Sequence, residues 1–312
     1  MRAAYDHVMR LFTAAAALSA LLFALLVAAT THAFPGRNGE IVFSAVLRKN
    51  ADFNLYLVRS DGTRLRRITK ARGFERYPSW SPDGKWLAYI SNRTNPKSES
   101  AYEAYVMRPN GTGLRRVTHD RWIDDQLAWA PDGKRFVFDS NRGGKFGVWT
   151  MRSNGSGAVR LSRDGATPAW SPNGRTIAFV RAPQGFDELW LMDANGSNQR
   201  RLTTPPSAGD RHAIDMTPEW SPDGKKLAFT RSYRGRSDVY VIGADGTGLR
   251  RLTKAAGLHS WPSWSPDGKR IVFVRKLRRR AAIYATNADG SNERRVTGGG
   301  IDYAYLDWQP LR

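Results

Sequence analysis

A short motif that recurs every 41 to 50 residues constrains the fold of this chain more than any other feature. Each copy begins at a tryptophan and, in its fullest form, reads Trp-Ser-Pro-Asp-Gly. The anchoring residues are Trp80, Trp129, Trp170, Trp220, Trp264 and Trp308. Proline presets the φ angle of a turn, aspartate or asparagine hydrogen-bonds the local backbone, and glycine accepts a left-handed conformation. Each motif therefore predicts a tight reversal between two strands.

Three more strand patterns accompany the tryptophan strand in each repeat. The turn is followed by an apolar strand, for example Trp86-Leu87-Ala88-Tyr89-Ile90, and then by a third strand that ends at a pair such as Asp61-Gly62. Asn-Gly and Asp-Gly pairs are strong hairpin signals. A polar fourth strand follows, as in Leu65-Arg66-Arg67-Ile68-Thr69. Because the second strands are apolar on both faces, each repeat predicts one blade stacked between neighbouring blades.

The two ends of the chain predict a closed ring. The first repeat begins at its second strand, Glu40-Ile41-Val42-Phe43-Ser44, and the missing tryptophan strand is Tyr305-Leu306-Asp307-Trp308-Gln309-Pro310 at the other terminus. Closure removes the exposed strand edges that promote aggregation. The predicted fold is all-β: a six-bladed β-propeller of four-stranded antiparallel blades over residues 34–312, closed by a C-terminal strand that completes blade one.

Residues 1–33 are predicted to be a signal peptide or a membrane anchor. Arg2 and Arg10 precede an apolar run over residues 11–29, and the run is followed by Thr31-His32-Ala33, where small residues resemble a signal-peptide cleavage site. A run of about 20 residues is also long enough to remain as an anchor. We therefore expect an exported protein that is periplasmic, at the cell surface or secreted, and the sequence leaves cleavage open.

The repeats resemble those of TolB-like β-propellers, a group that includes the periplasmic component of the Tol-Pal envelope system. The resemblance covers Gly39 to Pro310 and is carried by the Trp-Ser-Pro-Asp-Gly turns and their flanking strands. It implies a propeller that binds another envelope or secreted protein. TolB also has an α/β domain before its propeller, which we do not expect here, because blade one begins within a few residues of Ala33. The resemblance therefore implies only the role of the propeller.

Alignment of the repeats on their tryptophans predicts a binding site at one mouth of the central channel. Acidic residues stand five or six positions before most of the tryptophans, and aromatic or polar residues stand three positions before. The predicted partner-binding residues are Tyr77, Asp124, Asp125, Gln126, Asp215, Trp261, Asp302 and Tyr305. The aromatic members would serve as interface anchors. The alternative is that Trp261 and Tyr305 pack between blades.

The acidic residues at this mouth allow two interpretations. As a ring, they would bind a divalent cation such as Ca²⁺, or a basic peptide, through their carboxylate oxygens. Alternatively, they would pair with arginines at the ends of the second strands, namely Arg93, Arg142, Arg181, Arg231 and Arg275.

The chain is strongly basic, with a formal net charge of +21. Arginine pairs in the fourth strands and the run Lys276-Leu277-Arg278-Arg279-Arg280 supply much of this charge. One interpretation is a rim that binds an anionic glycan or lipid surface. The other is charge that discourages pairing between exposed edges. The fourth strands have no interleaved aromatic residues that would stack on bases, so we do not expect nucleic acid as a partner, and we expect a monomer.

The sequence favours binding over catalysis. There is no cysteine, no Gly-x-Ser-x-Gly elbow and no P-loop, and the histidines beyond residue 33 lack metal-ligand spacing. We therefore predict no enzymatic activity and no cofactor beyond the possible cation. The least favoured alternative is a metal-dependent lyase or hydrolase at the propeller mouth, with His212 and His259 as ligands.

Overall fold

The structure is a computed structural model that describes residues 34–46, 52–98, 102–182, 187–204, 213–278, 280–298 and 302–311, with the side chains of 302–304 left out. The predicted signal peptide or anchor over residues 1–33 lies outside this part of the chain. Within the described ranges, no helix has the length and apolar character needed to cross a membrane.

The described residues form six antiparallel sheets of four strands each. Blade one joins the two ends of the chain in the order β24 (Asp302–Leu311), β1 (Arg37–Val46), β2 (Asn54–Val58) and β3 (Arg66–Arg67). Trp308 in β24 stands opposite Ile41 in β1, and its indole Nε1 donates a hydrogen bond of 3.1 Å to the carbonyl oxygen of Gly39. The predicted closure by a C-terminal strand is confirmed.

The other five blades each consist of four consecutive strands. Their bounds are β4 (Glu75–Trp80), β5 (Leu87–Ser91), β6 (Glu103–Met107) and β7 (Arg115–Arg116) in blade two; β8 (Asp124–Trp129), β9 (Arg135–Ser140), β10 (Gly147–Arg152) and β11 (Val159–Arg160) in blade three; β12 (Ala166–Trp170), β13 (Thr176–Arg181), β14 (Glu188–Asp193) and β15 (Arg200–Arg201) in blade four; β16 (Ile214–Trp220), β17 (Lys226–Tyr233), β18 (Arg236–Gly243) and β19 (Arg250–Arg251) in blade five; and β20 (Leu258–Trp264), β21 (Arg270–Leu277), β22 (Arg280–Asn287) and β23 (Arg294–Arg295) in blade six. The first strand of every blade lies against the first strands of both neighbours, so these six strands surround the axis.

The core consists of the faces that adjacent blades press together. All five residues of β5 are buried, as predicted for a strand covered on both sides. The repeat tryptophans Trp80, Trp170 and Trp308 are completely buried. Complete burial of an aromatic side chain of this size stabilises a fold by several kcal/mol, so the repeat that marks the sequence also supplies much of the packing.

The Ser-Pro-Asp-Gly turns have the geometry that their residues predict. Ser81 Oγ donates to Asp83 Oδ1 at 2.6 Å and accepts the N–H of Trp86 at 2.9 Å, while Gly84 has a φ of +67°. These turns and the Asp-Gly or Asn-Gly turns lie on one face of the ring, which we call the turn face. The connections between second and third strands, and between blades, lie on the opposite face, which we call the loop face.

The fourth strands are shorter than predicted. Each pairs over two residues only, and in five of the blades a threonine hydroxyl replaces the next ladder bond. In blade one, Ile68 N donates to the carbonyl of Leu55, and Leu55 N then donates to Thr69 Oγ1 at 2.9 Å. The same bond to a threonine hydroxyl is made by Thr118, Thr203, Thr253 and Thr297. Very short outer strands offer little exposed edge to another chain.

Candidate functional site

Six equivalent residues, one in each first strand, line the axis of the ring. We call these the axial residues: Tyr77, Gln126, Thr167, Thr217, Trp261 and Tyr305. Each has a positive φ, between 48° and 59°, and each stands where the pairing register with the second strand shifts. A β-bulge of this kind bends the strand and redirects a side chain. The bulge is therefore a repeated device that turns one side chain per blade away from the ordinary alternation of the strand.

The axial residues form a buried layer, which we call the floor, and three of them pack directly against one another. The ring centroids of Tyr77 and Tyr305 are 4.2 Å apart, and those of Trp261 and Tyr305 are 5.3 Å apart. All six side chains are buried, and the most exposed, Tyr305, is only 6% exposed. Tyr77, Gln126, Trp261 and Tyr305, which the sequence placed in the binding site, lie at this level. The packing of Trp261 on Tyr305 matches the alternative raised from the sequence for these two residues, and contact of all four residues with a partner stays a prediction.

The predicted acidic residues pair with the predicted arginines in four blades. Arg142 Nη2 lies 2.6 Å from Asp124 Oδ2, and Arg231 donates to both oxygens of Asp215 at 2.6 Å. The pairs Arg93–Glu75 and Arg181–Asp164 complete the set. The pairing alternative is thus confirmed for Asp124 and Asp215, and the side chain of Asp302 is outside the described part.

Blade six departs from this pattern, and Arg275 has a partner that the sequence analysis did not name. Arg275 pairs with Glu293 at 2.8 Å, because blade six has His259 at the acidic position. His259 is completely buried, and its Nδ1 lies 3.0 Å from Asp238 Oδ1 of blade five. This contact stabilises the seam between the two blades.

The described residues contain no group of three or more His, Asp or Glu side chains arranged to hold a metal ion. His259, one of the two histidines considered as ligands, is engaged with Asp238, and His212 lies outside the described residues. The divalent cation stays a prediction.

A group of five side chains, four of them partly exposed and Tyr102 buried, stands at the loop face around blades two and three. We call it the mouth cluster: Phe74, Arg76, Tyr102, Trp122 and Asp125. The guanidinium of Arg76 lies 4.7 Å from the ring centroid of Phe74 and 5.0 Å from that of Tyr102. Trp122 is covered in part by Arg121 at 4.9 Å. The cluster therefore presents aromatic surface together with both signs of charge.

Only Asp125 of the mouth cluster was predicted from the sequence. Phe74, Tyr102 and Trp122 lie in connections or at strand starts that do not repeat, so an alignment on the tryptophans passes over them. The signal that would have found two of them is compositional. Phe74 stands six residues before its repeat tryptophan, where blades four to six have Asp164, Ile214 and Leu258. Trp122 stands seven residues before its repeat tryptophan, where those blades have Arg163, Ala213 and Gly257.

Asp125 gives the mouth cluster a charge that depends on pH near neutrality. Burial raises the pKa of Asp125 to about 7, although the nearby Arg76 acts in the opposite direction. Its partner across the ladder is Asp139, whose pKa is raised well above its usual range by burial and then by the charge of Asp125. Two buried carboxyls in adjacent strands cannot both ionise easily, so the pair retains a proton near neutral pH.

The arginines of the rim have a structural role that neither interpretation of the sequence included. In five blades the first arginine of the fourth strand donates to a backbone carbonyl in the turn of the next blade. These bonds are Arg66 to Pro109 at 3.3 Å, Arg115 to Ser153 at 3.0 Å, Arg200 to Ala244 at 2.9 Å, Arg250 to Ala288 at 2.7 Å and Arg294 to Ser60 at 3.1 Å. Blade three has Val159 at this position. We call this contact the arginine clasp.

Comparison with known proteins agrees with this architecture. A family profile described as the TolB beta propeller domain matches residues 94–207 and 206–311. A TolB homologue from Chlorobium luteolum is 45% identical over 56 residues, which cover 18% of this chain but only 12% of that protein.

Solved structures show the same fold at low sequence identity. TolB from Acinetobacter baumannii matches with a TM-score of 0.76 and 20% identity, covering 89% of this chain and 68% of that chain. An oligogalacturonate lyase in complex with manganese matches with a TM-score of 0.57 and 16% identity, covering 86% of this chain and 77% of that chain. Since propellers host binding proteins and enzymes alike, these likenesses establish the fold and not an activity.

Proposed function

This chain belongs to the TolB β-propeller family, and we propose from that premise that it is a non-catalytic propeller of the cell envelope or secreted space that binds another protein. The observation that carries the proposal is the mouth cluster on the loop face, where Arg76 is held between Phe74 and Tyr102. The targeting pattern in residues 1–33 supports the location.

The residue types of the mouth cluster are those that dominate binding energy in protein interfaces. Arginine, tryptophan and tyrosine are the residues most enriched among interface positions whose truncation costs 2 kcal/mol or more. Arg76 is also positioned before binding, because two aromatic rings fix its guanidinium at 4.7 and 5.0 Å. A side chain that is already ordered loses less entropy when a partner arrives.

The axial residues support the cluster from below. All six are buried, so they offer a partner little accessible surface of their own. The matching partner surface presents apolar or aromatic groups towards Trp122, with polar groups placed to meet Arg76 and Asp125. Loops rather than strands carry most of this surface, which is common for binding sites on rigid scaffolds.

Site-specific photocrosslinking tests the proposal. A photoreactive phenylalanine analogue replaces Trp122 at the mouth cluster or, as a matched control, Trp86 on the turn face; both tryptophans are half-buried. In the cell that exports the protein, we expect a discrete covalent adduct with one protein from position 122 and none from position 86. No adduct from position 122, or the same adduct from both positions, would contradict the proposed site.

A further inference from the structure

An open groove of about 720 Å³ lies on the turn face, at the seam where β1 and β24 close the ring. We call it the blade-one groove. Its lining includes three arginines, Arg59, Arg64 and Arg66, and two carboxylates, Glu40 and Asp61. It lies on the face opposite the mouth cluster, so a ligand here is separate from the proposed protein partner.

Arg64 has a backbone conformation that its residue type does not favour. Its φ is 56°, and the same turn position in the other five blades is occupied by Gly113, Gly157, Asn198, Gly248 and Asn292. Glycine and asparagine are the residues that adopt left-handed backbone readily, whereas arginine is strained there. The turn therefore does not require arginine, and backbone strain of this kind is typical of functional positions.

Two of the three arginines form no hydrogen bond or ion pair within the described part of the chain, although hydrogen bonds from Thr63 and, to a smaller extent, the charge of Arg59 lower the pKa of Asp61. Arg66 forms an ion pair of 2.7 Å with Glu40, whereas no hydrogen bond or ion pair joins the side chain of Arg59 or Arg64 to another described residue. Asp61, the remaining carboxylate, accepts two bonds from Thr63, at 2.9 Å from its N–H and 2.7 Å from its hydroxyl.

The arginine that corresponds to Arg59 in blade two has an internal role instead. Arg108 stacks on the ring of Trp86, with its guanidinium 4.8 Å from the ring centroid. Blade one has Glu40 where blade two has Trp86, so this stacking partner is missing. The positive charge at the blade-one groove is therefore not explained by the packing that the equivalent residue provides elsewhere.

We propose that the blade-one groove binds an organic phosphate and that Arg59 and Arg64 supply the guanidinium groups for it. One arginine fork satisfies the two oxygens of a carboxylate, whereas the oxygens of a phosphate accept bonds from two forks. The groove is far larger than a phosphate ion, so the ligand has an organic body. Leu65 and Leu311, exposed by 46% and 37%, provide apolar surface for that body.

The phosphate has two possible sources. Residues 34–36 lead from the apolar N-terminal segment directly into β1, a wall of the groove, so a phospholipid headgroup is one source if that segment anchors the chain. A soluble phosphate ester is the other. Both present the same charged group to the same arginines.

The test measures binding of the full 312-residue chain to two probes. The probes are glycerol 3-phosphate, followed by calorimetry, and phosphatidylcholine vesicles with or without phosphatidylglycerol, followed by co-sedimentation. The variants are Arg64→Gly, Arg59→Gln and the control Arg152→Gln, which removes the same charge from the corresponding position of blade three. Because glycine suits the left-handed turn, the Arg64→Gly variant should keep a thermal midpoint no lower than that of the wild type.

We expect Arg64→Gly and Arg59→Gln each to weaken binding about tenfold, the typical effect of removing one charge-assisted bond, and Arg152→Gln to change it less than twofold. If the groove variants bind glycerol 3-phosphate more weakly than the wild type, the ligand is a soluble phosphate ester. If their binding is weakened only towards vesicles that contain phosphatidylglycerol, the ligand is a lipid headgroup. The proposal is overturned if neither probe binds, or if Arg152→Gln weakens binding as much as the groove variants.

Discussion

The turn face and the loop face of this propeller are built on different principles. On the turn face, the same bonds recur: the serine-to-Asp or serine-to-Asn bond measures 2.6 Å at Ser81 and Ser221 and 2.8 Å at Ser171. On the loop face, the blades differ: four have an acid–arginine pair at the start of the first strand, and blade six has His259.

This difference teaches where fold and function are encoded. Residues that repeat stabilise the blades and their junctions, whereas a residue that departs from the repeat needs a reason of its own. For His259 that reason is the contact with Asp238 across a blade seam. The mouth cluster is a departure on the loop face for which we propose a binding role. Arg64 is a departure on the more regular turn face, and it stands in the groove where we place a phosphate.

The largest expected effect contrasts a tryptophan of the repeat with one outside it. Trp308→Ala removes a completely buried side chain from the closing strand, together with its bond to Gly39. We expect it to lower the free energy of unfolding by about 4 kcal/mol. Trp86→Ala, at a half-buried position where other repeats have arginine, threonine, lysine or glutamate, should cost less than half as much. The free energies of unfolding are measured by urea unfolding at pH 7. Equal losses for the two variants would contradict the distinction between a tryptophan of the repeat and one outside it.

The second effect uses pH to test a departure on the loop face. Asp139 is the only carboxyl at its position in the six blades, and burial raises its folded-state pKa well above the unfolded value. The folded state then holds a proton that the unfolded state releases above about pH 4, so the free energy of unfolding falls as pH rises from there towards the raised folded-state pKa. Each such proton contributes about 1.4 kcal/mol per pH unit across that window.

Asp139→Asn should therefore flatten this decline and stabilise the protein at pH 8 by on the order of 1 kcal/mol. The matched control is Asp132→Asn on the turn face, where blade four already has Asn173. Unfolding free energies at pH 5 and pH 8 are the measurement. A pH slope that Asp139→Asn leaves unchanged would show that the buried pair does not titrate as described.

The smallest effect concerns the arginine clasp. Arg115→Ala removes the 3.0 Å bond to the Ser153 carbonyl and should cost about 1 kcal/mol, since this side chain is largely exposed. Val159→Arg introduces the arginine that blade three lacks, within reach of the equivalent carbonyl of Ala194, and should stabilise the protein by about 0.5 kcal/mol. Thermal unfolding compares both with the wild type. A destabilising Val159→Arg would show that the clasp is not transferable between blades.

The fold was predictable because its signals are local and repeated. A Pro-Asp-Gly or Pro-Asn-Gly turn needs only its own residues, and five copies at similar spacing leave little choice of architecture. The acid–arginine pairs were also predictable, because an alignment of repeats places opposite charges at facing strand ends.

The rest depended on geometry that a pattern does not encode. The left-handed bulge at each axial residue, as at Tyr77, redirects the side chain towards its neighbours, so residues expected at an open mouth became a buried floor. The arginine clasp joins residues of different blades, and only the curvature of the ring brings Arg115 to Ser153. The stacking of Arg76 between Phe74 and Tyr102 likewise joins segments that no repeat aligns.

The central claim is that residues that depart from the repeat carry binding, whereas repeated residues stabilise the fold. The affinity for the partner captured at position 122 tests it most directly, because one measurement compares a variant of each kind. We expect Arg76→Ala to raise the dissociation constant by at least about tenfold, as for an arginine at the centre of an interface. Arg115→Ala should leave the dissociation constant unchanged. The claim is contradicted if Arg76→Ala binds like the wild type, or if Arg115→Ala weakens binding to the same extent.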